Sequence, residues 1–191
     1  TATAVSPDQI NLTWTASTDD VGVTGYKIYR DGSYLDSTTS TAYNSTGLRV
    51  STQYCYTVSA YDAASNESAQ SLEDCATTDS HVPITINVPG TYVTIQGAID
   101  AAIDGDTILV AAGTYVENID FNGKPIKVQS EQGPDVTFID GNQAGSVITF
   151  SSGEGSGSQI EGFSIFNGTG TYQPPPFDDL GGGGILCDGS S

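Results

Sequence analysis

Two aromatic and two acidic side chains lie near the end of the sequence, on the segment GTGTYQPPPFDDLGGGG (168–184). Aromatic rings can stack on the apolar face of a sugar, and carboxylates accept hydrogen bonds from its hydroxyl groups. Three consecutive prolines would stiffen the loop that carries them. The same side chains could instead pack against their own domain, which is the favoured alternative, or dock a neighbouring domain. The candidate glycan-contact residues are Tyr172, Phe177, Asp178 and Asp179.

The rest of the sequence contains no recognisable catalytic set. Nucleophile-elbow, zinc, phosphate-loop and dinucleotide-binding motifs are absent. Aspartates beside turns could bind calcium, but no dense ligand spacing such as D-x-D-x-D-G occurs, so we predict no metal site and no cofactor. The single histidine, His81, has no neighbouring partner in the sequence and is expected to be solvated. Whether the protein is an enzyme stays open. The turn aspartates are Asp104, Asp106, Asp120, Asp135 and Asp140.

The three cysteines predict one disulfide bond. Cys55 alternates with Tyr54 and Tyr56 in a predicted strand and so faces away from their side, whereas Cys75 lies in the next strand-like segment. Adjacent strands of a hairpin bring such residues within bridging distance, so we predict a Cys55–Cys75 disulfide. Closing a loop of about 20 residues would contribute ~3 kcal/mol. Two free thiols or a metal pair are the alternatives, and Cys187 is left without a partner.

Four N-x-S/T sequons are candidate glycosylation sites. They would matter if the source glycosylates its exported proteins. Such triplets also arise by chance in a chain rich in Asn and Thr, and chance is the default interpretation. The four residues are Asn11, Asn44, Asn66 and Asn167.

The charge balance excludes two classes of partner. The 191 residues include 23 acidic and 5 basic side chains, for a formal net charge of −18. Such a chain repels nucleic acid and anionic membranes, and it suits a secreted or cell-surface protein, although a well-solvated surface is the favoured explanation. No apolar run approaches the ~18 residues of a spanning helix. The opening TATAVSPDQ has no signal-peptide pattern, so we expect a mature, trimmed or fragmentary chain.

Residues 1–78 alternate in the manner of β-strands. Ile10, Leu12 and Trp14 share one face of a strand, and Asp31-Gly32 predicts a hairpin turn. Together with GYKIYRDG and the phrase from Leu48 to Ala60, this pattern resembles a fibronectin type III module. The resemblance implies a β-sandwich in which the Tyr54 hydroxyl bonds back to the chain near Leu48. The first strand of that family begins earlier, so we expect the chain to be cut at its start.

A single helical pattern follows within the segment TYVTIQGAIDAAIDGDTILVAAGTY (91–115). Ile95, Ile99, Ala102 and Ile103 form an apolar stripe, and the predicted helix runs from the N-cap Thr94 to residue 104, with Gly105 as its C-cap. After the helix come a strand, the tripeptide Gly-Thr-Tyr, an acidic residue, another strand and the dipeptide Gly-Lys, all before residue 127. In this order of features the segment resembles the start of right-handed parallel β-helix proteins of the pectin-lyase-like group. There the helix caps the end of the solenoid. The group includes lyases, hydrolases, esterases and adhesins, so the resemblance implies a fold rather than a function.

The strands after this helix predict the coils of such a solenoid. Apolar centres recur at irregular intervals, as variable loops would give, and further strands are expected at 116–121 and 136–139. The enzymes of the group use a lysine or arginine base or paired carboxylates, and no such set is found here. Lys124 and Lys127 are expected to belong to the sequence pattern of the fold and not to a catalytic site. An open final coil would require further coils or another molecule to cover it. The centres lie at 108–110, 126–128, 147–150, 163–165 and 185–187, and a first strand is expected before the helix, at 84–88.

The sequence thus predicts an all-β protein: a fibronectin type III sandwich at 1–78, a linker at 79–83, and a right-handed parallel β-helix at 84–191 with a capping helix near 94–104. The leading hypothesis is an extracellular structural or adhesive protein that contacts a polysaccharide or cell-surface glycan. A polysaccharide lyase or hydrolase with its catalytic coils beyond residue 191 is the second hypothesis. A filament subunit that self-associates through the open coil is the third. Nucleic acid and membrane insertion are not expected.

Overall fold

The computed structural model describes residues 1–173, 179–181 and 183–187, with strand positions only for 171–173 and 179–181. The chain divides into two compact units, the first spanning Thr1–His81 and the second beginning at Val82. Among the described residues, no helix has the length and apolar character needed to cross a membrane.

The first unit consists of two antiparallel sheets. Its chain alternates apolar and polar residues over short segments that turns separate, which is the pattern of half-buried strands. One sheet has the order β1-β2-β5 and the other the order β4-β3-β6-β7. The strands are β1 (Ala2–Ser6), β2 (Gln9–Thr13), β3 (Val23–Arg30), β4 (Ser33–Thr38), β5 (Ala42–Ser45), β6 (Gln53–Asp62) and β7 (Asp74–Thr77).

The core of this unit contains the apolar face predicted from alternation. Ile10 and Ile28 are fully buried. Trp14 packs edge-on against Tyr26, with ring centroids 5.4 Å apart. At the turn between β3 and β4, Asp31 and Gly32 both have positive φ, 50° and 78°, which is the two-residue hairpin geometry that Asp-Gly favours.

Tyr54 has the role that the sandwich resemblance implies. Its hydroxyl oxygen accepts a hydrogen bond from the backbone N–H of Arg49 at 3.0 Å, directly after Leu48. The Arg30 guanidinium lies over the same ring, 5.4 Å from its centroid. Tyr54 therefore ties β6 to the preceding loop through its hydroxyl and to β3 through its ring.

The second unit is built from short strands in three parallel sheets. Their orders are β8-β9-β12-β15, β10-β13-β16 and β11-β14-β19, and β17 pairs antiparallel with β18. The elements are β8 (Thr85–Val88), α1 (Ile95–Ala101), β9 (Thr107–Val110), β10 (Gly113–Val116), β11 (Ile119–Asp120), β12 (Lys127–Ser130), β13 (Thr137–Asp140), β14 (Ile148–Phe150), β15 (Gln159–Glu161), β16 (Ser164–Phe166), β17 (Thr171–Gln173), β18 (Asp179–Gly181) and β19 (Ile185–Cys187).

The recurring apolar centres of the sequence belong to different sheets. Thr107 pairs with Lys127, 20 residues later, and Lys127 pairs with Gln159, 32 residues later. The centres at 108–110 and 126–128 therefore share a sheet, whereas those at 147–150 and 163–165 lie in the other two. Loops of unequal length separate the strands, so apolar recurrence alone cannot identify which strand pairs with which. The predicted strand at 116–121 is also interrupted, because β10 ends at Val116 and β11 begins at Ile119.

Helix α1 begins as predicted and ends earlier. The Thr94 side chain accepts a hydrogen bond from the Gly97 N–H at 3.1 Å, and Ile95 and Ile99 are fully buried. The C-cap is Ala102, with extended backbone angles, so the predicted end at residue 104 with Gly105 as C-cap is wrong. Gly105, at φ 93°, belongs instead to the turn that leads into β9.

Charged side chains from the connections between the following strands bind both ends of α1. The Glu117 carboxylate accepts hydrogen bonds from the N–H groups of Ile95 (3.0 Å) and Gln96 (2.9 Å), where a helix leaves donors unpaired. At the other end, the Lys124 ammonium donates to three carbonyl oxygens, at 2.7–2.9 Å. Both charges also match the helix dipole. The three acceptors belong to Ile99, Asp100 and Ala102.

Candidate functional site

The contact loop predicted from sequence lies partly outside the described residues. Tyr172 falls in β17 and Asp179 in β18, and these two strands pair with each other. Phe177 and Asp178 lie outside the described residues. The loop therefore stays a prediction.

The predicted disulfide is present in the first unit. Cys55 and Cys75 are directly paired across β6 and β7, with a Cα–Cα distance of 4.0 Å, and their sulfur atoms are bonded. With Glu73 they form the only group of potential metal ligands close enough together among the described residues. Because both sulfurs are held in the disulfide, they cannot act as thiolate ligands. Cys187 is a free and exposed cysteine.

The sequon asparagines occupy unequal surroundings. Asn11 and Asn44 are paired across β2 and β5, and Asn11 is half-buried with its side-chain oxygen bound by Gln9. Asn66 and Asn167 are exposed, but each donates its amide to an aspartate, Asp62 and Asp140 respectively. Attachment at any of the four stays untested, and the last two would have to give up these contacts.

An exposed polar and aromatic surface lies on the outer side of the four-stranded sheet. On β3, Tyr26 and Ile28 are buried, so Lys27 and Tyr29 point to the opposite side. Tyr34 on β4 pairs directly with Tyr29, and the two rings meet edge to face with centroids 6.0 Å apart. We call this surface the tyrosine face and define it as Lys27, Tyr29, Tyr34, Ser59 and Glu67.

Glu67 organises the polar part of the tyrosine face. A single bridge with Tyr61 places it beside β6. One carboxylate oxygen accepts hydrogen bonds from the hydroxyl groups of Tyr29, at 2.7 Å, and of Ser59. The other oxygen accepts from the Lys27 ammonium at 2.6 Å. These bonds fix three side chains from two different strands around one carboxylate.

The electrostatics of this cluster suit binding better than proton transfer. Hydrogen bonds from Lys27, Ser59 and Tyr29 hold the pKa of Glu67 at about 2, from an ordinary value of 4.5. The hydrogen bond to Glu67 in turn raises the pKa of Lys27. Both groups are therefore charged at neutral pH, and a carboxyl group with such a low pKa is a poor general acid or base there.

The tyrosine face offers an exposed ring beside fixed hydrogen-bonding groups. Tyr34 is 59% exposed, whereas Ser59 is buried. A sugar could stack on the Tyr34 ring while its hydroxyl groups meet Lys27 and the Glu67 carboxylate. Beside them, Thr57 donates to the Gln70 side chain at 2.7 Å and extends the polar rim. The sequence signal for this surface was the alternation in GYKIYRDGSY, which places Lys27 and Tyr29 opposite the buried residues.

A cavity of about 570 Å³ also opens in the first unit. Its lining includes Leu12, Tyr26 and Tyr56, which are buried members of the sandwich interior. Trp14 also lines it, and its indole N–H is buried without a hydrogen-bond partner. The rest of the lining consists mostly of exposed residues, many of them from the segment 68–74. Because the buried groups in the cavity belong to the sandwich core, we place the candidate site on the tyrosine face.

Several charged residues of the second unit bind backbone groups or one another. Asp106 is 2% exposed and accepts hydrogen bonds from the N–H groups of Ile84 (2.8 Å) and Ile103 (2.9 Å). Lys127 forms an ion pair with Glu161 at 2.7 Å across β12 and β15. With Lys124 on the end of α1, these contacts support the interpretation of the lysines and turn aspartates as structural residues.

Comparison with known proteins shows that the first unit matches a known domain family. A family model for the fibronectin type III domain matches residues 1–73. Chitinase D of Niallia circulans is 48% identical over 80 residues, which is 42% of this chain and 15% of that protein. An alpha-amylase of the same organism is 38% identical over 141 residues, 64% of this chain and 11% of the relative. Exoglucanase B of Cellulomonas fimi is 47% identical over 77 residues, 40% of this chain and 7% of the relative. The chain therefore spans only 7–15% of the length of these relatives.

Proposed function

We propose, since residues 1–73 form a fibronectin type III domain, that this chain belongs to an extracellular multidomain protein that acts on polysaccharides. In that protein the domain serves as an accessory module that contacts the glycan through the tyrosine face. The observation that carries the proposal is the exposed Tyr34 ring beside the Glu67 cluster.

The relatives support the wider part of this proposal. By name they are a chitinase, an alpha-amylase and an exoglucanase, and they match stretches of 77 to 141 residues of this chain at 38–48% identity. These names favour a polysaccharide-degrading protein over a structural or adhesive stalk. A lyase or hydrolase is the second hypothesis of the sequence analysis, and its reacting groups would lie outside the surfaces described here. Self-assembly into a filament has no comparable support.

We further propose that residues 84–191 form coils of a right-handed parallel β-helix, joined to a sandwich at 1–78 by a linker at 79–83. The support is the parallel, in-register pairing of β9 with β12 and of β10 with β13. The buried hydrophobic residues of this unit form one cluster, from Ile86 to Ile148, to which α1 contributes Ile95, Ala98 and Ile99, as a capping helix would. The loop with Tyr172, Phe177, Asp178 and Asp179 is a second candidate contact on these coils.

Retention on insoluble polysaccharides tests the proposed module. The full chain is mixed with chitin, cellulose or granular starch, and the bound fraction is measured against a Tyr34→Ala variant. We expect the wild type to bind at least one of them and the variant to bind roughly three- to tenfold more weakly, since aromatic contacts contribute about 0.5–1.5 kcal/mol. Val21→Ala is the matched control, because Val21 is 82% exposed and lies outside the tyrosine face. Unchanged retention of Tyr34→Ala would remove the tyrosine face from the proposal.

A further inference from the structure

A second exposed aromatic surface lies on the outer side of the β10-β13-β16 sheet. On β13, Thr137 and Ile139 are buried, so Phe138 and Asp140 point outward. By the same alternation Val116 on β10 and Phe166 on β16 point outward, and they are 61% and 40% exposed. We call this surface the phenylalanine face.

The parallel register arranges these side chains in two rows. Phe138 lies between Thr114 and Ser164 in one row, and the other row consists of Val116, Asp140 and Phe166. The rings of Phe138 and Phe166 meet across the rows with centroids 6.3 Å apart and planes at 69°. The two rings thus form an apolar patch over β13 and β16, with Ser164 beside Phe138 and with Asp140 between Phe166 and Val116.

The polar groups beside the rings are fixed in place. Asp140 accepts hydrogen bonds from the Asn142 N–H and from the Asn167 side-chain amide, both at 2.9 Å. On the other side the Ser164 hydroxyl donates to the Pro134 carbonyl at 2.8 Å. A ligand that places hydroxyl groups beside an apolar face would meet prearranged oxygen atoms here, with little ordering still to be done.

We propose that the phenylalanine face is a glycan-binding surface for a neutral polysaccharide, a site separate from the tyrosine face. The proposal rests on the proposed function for the class of ligand. Sugar rings combine an apolar C–H face with hydroxyl donors, which matches phenyl rings beside a carboxylate. The net charge of −18 selects against an anionic polysaccharide and against a second copy of the same chain, since both would bring negative charge to a negative protein.

Two single substitutions separate this site from the tyrosine face. Retention of the full chain on chitin, cellulose and starch is measured for Phe166→Ala and for Tyr34→Ala. We expect Phe166→Ala to weaken retention roughly three- to tenfold through the lost ring contact. Val93→Ala is the matched control, because Val93 is 80% exposed on the same unit. Unchanged thermal unfolding of Phe166→Ala shows that the fold is kept, as expected for an exposed side chain.

A second measurement locates the ligand directly. Methyl signals of Val116 and Val136, which is 42% exposed just before β13, are followed by NMR while chitohexaose, cellohexaose or maltohexaose is added to the full chain. Shifts of these methyls that Phe166→Ala abolishes would support the proposal. If Phe166→Ala is retained like the wild type and the methyls do not move, the phenylalanine face is not a site, whatever Tyr34→Ala does. Loss of retention in Phe166→Ala alone would keep this site and overturn the tyrosine face. A dimer that Phe166→Ala dissociates in sedimentation would also overturn the proposal, in favour of self-association.

Discussion

Glu67 holds the tyrosine face together and makes its stability depend on pH. Its pKa of about 2 lies below the ordinary value of 4.5, so its contacts stabilise the folded state above pH 4.5. That contribution falls as the pH drops below 4.5 and is lost as the pH passes through about 2. We expect wild-type stability to decline over this range and a Glu67→Gln variant to decline less steeply. Urea unfolding at several pH values between 7 and 2 measures the difference.

The control for this prediction is another carboxylate of the same unit. Asp20 is exposed, and Asp20→Asn should leave the pH profile of the wild type unchanged. If Glu67→Gln and the wild type lose stability in parallel as the pH falls, the hydrogen bonds to Glu67 do not stabilise the fold.

Residues with local signals were predictable, and Glu67 was not. Strand alternation gave the Cys55–Cys75 pair, and the family resemblance gave the role of Tyr54. The partners of Glu67 lie 8, 38 and 40 residues away in the sequence, at Ser59, Tyr29 and Lys27. Periodicity describes which side of a strand a residue occupies, but it does not reveal contacts over such separations.

Among the elements, α1 depends on two charged residues that lie outside it. A helix of seven residues is too short to be stable alone, so its ends must be satisfied by the surrounding structure. We expect Lys124→Met to destabilise the second unit by about 1–3 kcal/mol, because it leaves carbonyl groups without their charged donor. Chemical unfolding followed by circular dichroism measures the change.

Lys127→Met is the matched control for this prediction. The same ammonium group is removed there, but its ion pair with Glu161 is 34% and 51% exposed and should contribute less than about 1 kcal/mol. If the two variants lose the same unfolding free energy, the contacts of Lys124 with α1 stabilise the unit no more than an exposed ion pair does.

Only one of the two ends of α1 could be predicted from local sequence patterns. Its start was predictable because Thr94 and the stripe of Ile95 and Ile99 are local signals. Its end was not, because Lys124, from 22 to 25 residues away, binds the last carbonyl groups. The sheet partners of the later strands could not be predicted for a related reason, since loop length and not apolar content decides which strands stack.

The Cys55–Cys75 disulfide between β6 and β7 is expected to stabilise the first unit. The disulfide joins residues 20 apart, so the chain-entropy estimate gives a loss of about 3 kcal/mol when it is removed. We expect the double variant Cys55→Ala, Cys75→Ala to lower the unfolding free energy of the first unit by that order, measured by urea unfolding. Cys187→Ala changes only a free exposed thiol and should leave the first unit unaffected. A reducing agent that leaves the wild-type curve in place would contradict the prediction.

At the scale of the whole molecule, the net charge determines whether the two aromatic surfaces bind a neutral or an anionic polysaccharide. Contacts by stacking and hydrogen bonding with an uncharged glycan are hardly screened, whereas ionic attraction weakens as the Debye length falls from about 10 Å at 0.1 M salt to about 3 Å at 1 M. We therefore expect retention on a neutral polysaccharide to change less than about twofold between these salt concentrations. Polygalacturonate should not be retained at the lower one, because a chain with a net charge of −18 repels it. Retention that vanishes in 1 M salt, or binding to polygalacturonate in 0.1 M salt, would mean that local basic residues such as Lys27 dominate over the overall charge. The ligand of the tyrosine face would then have to be an acidic glycan.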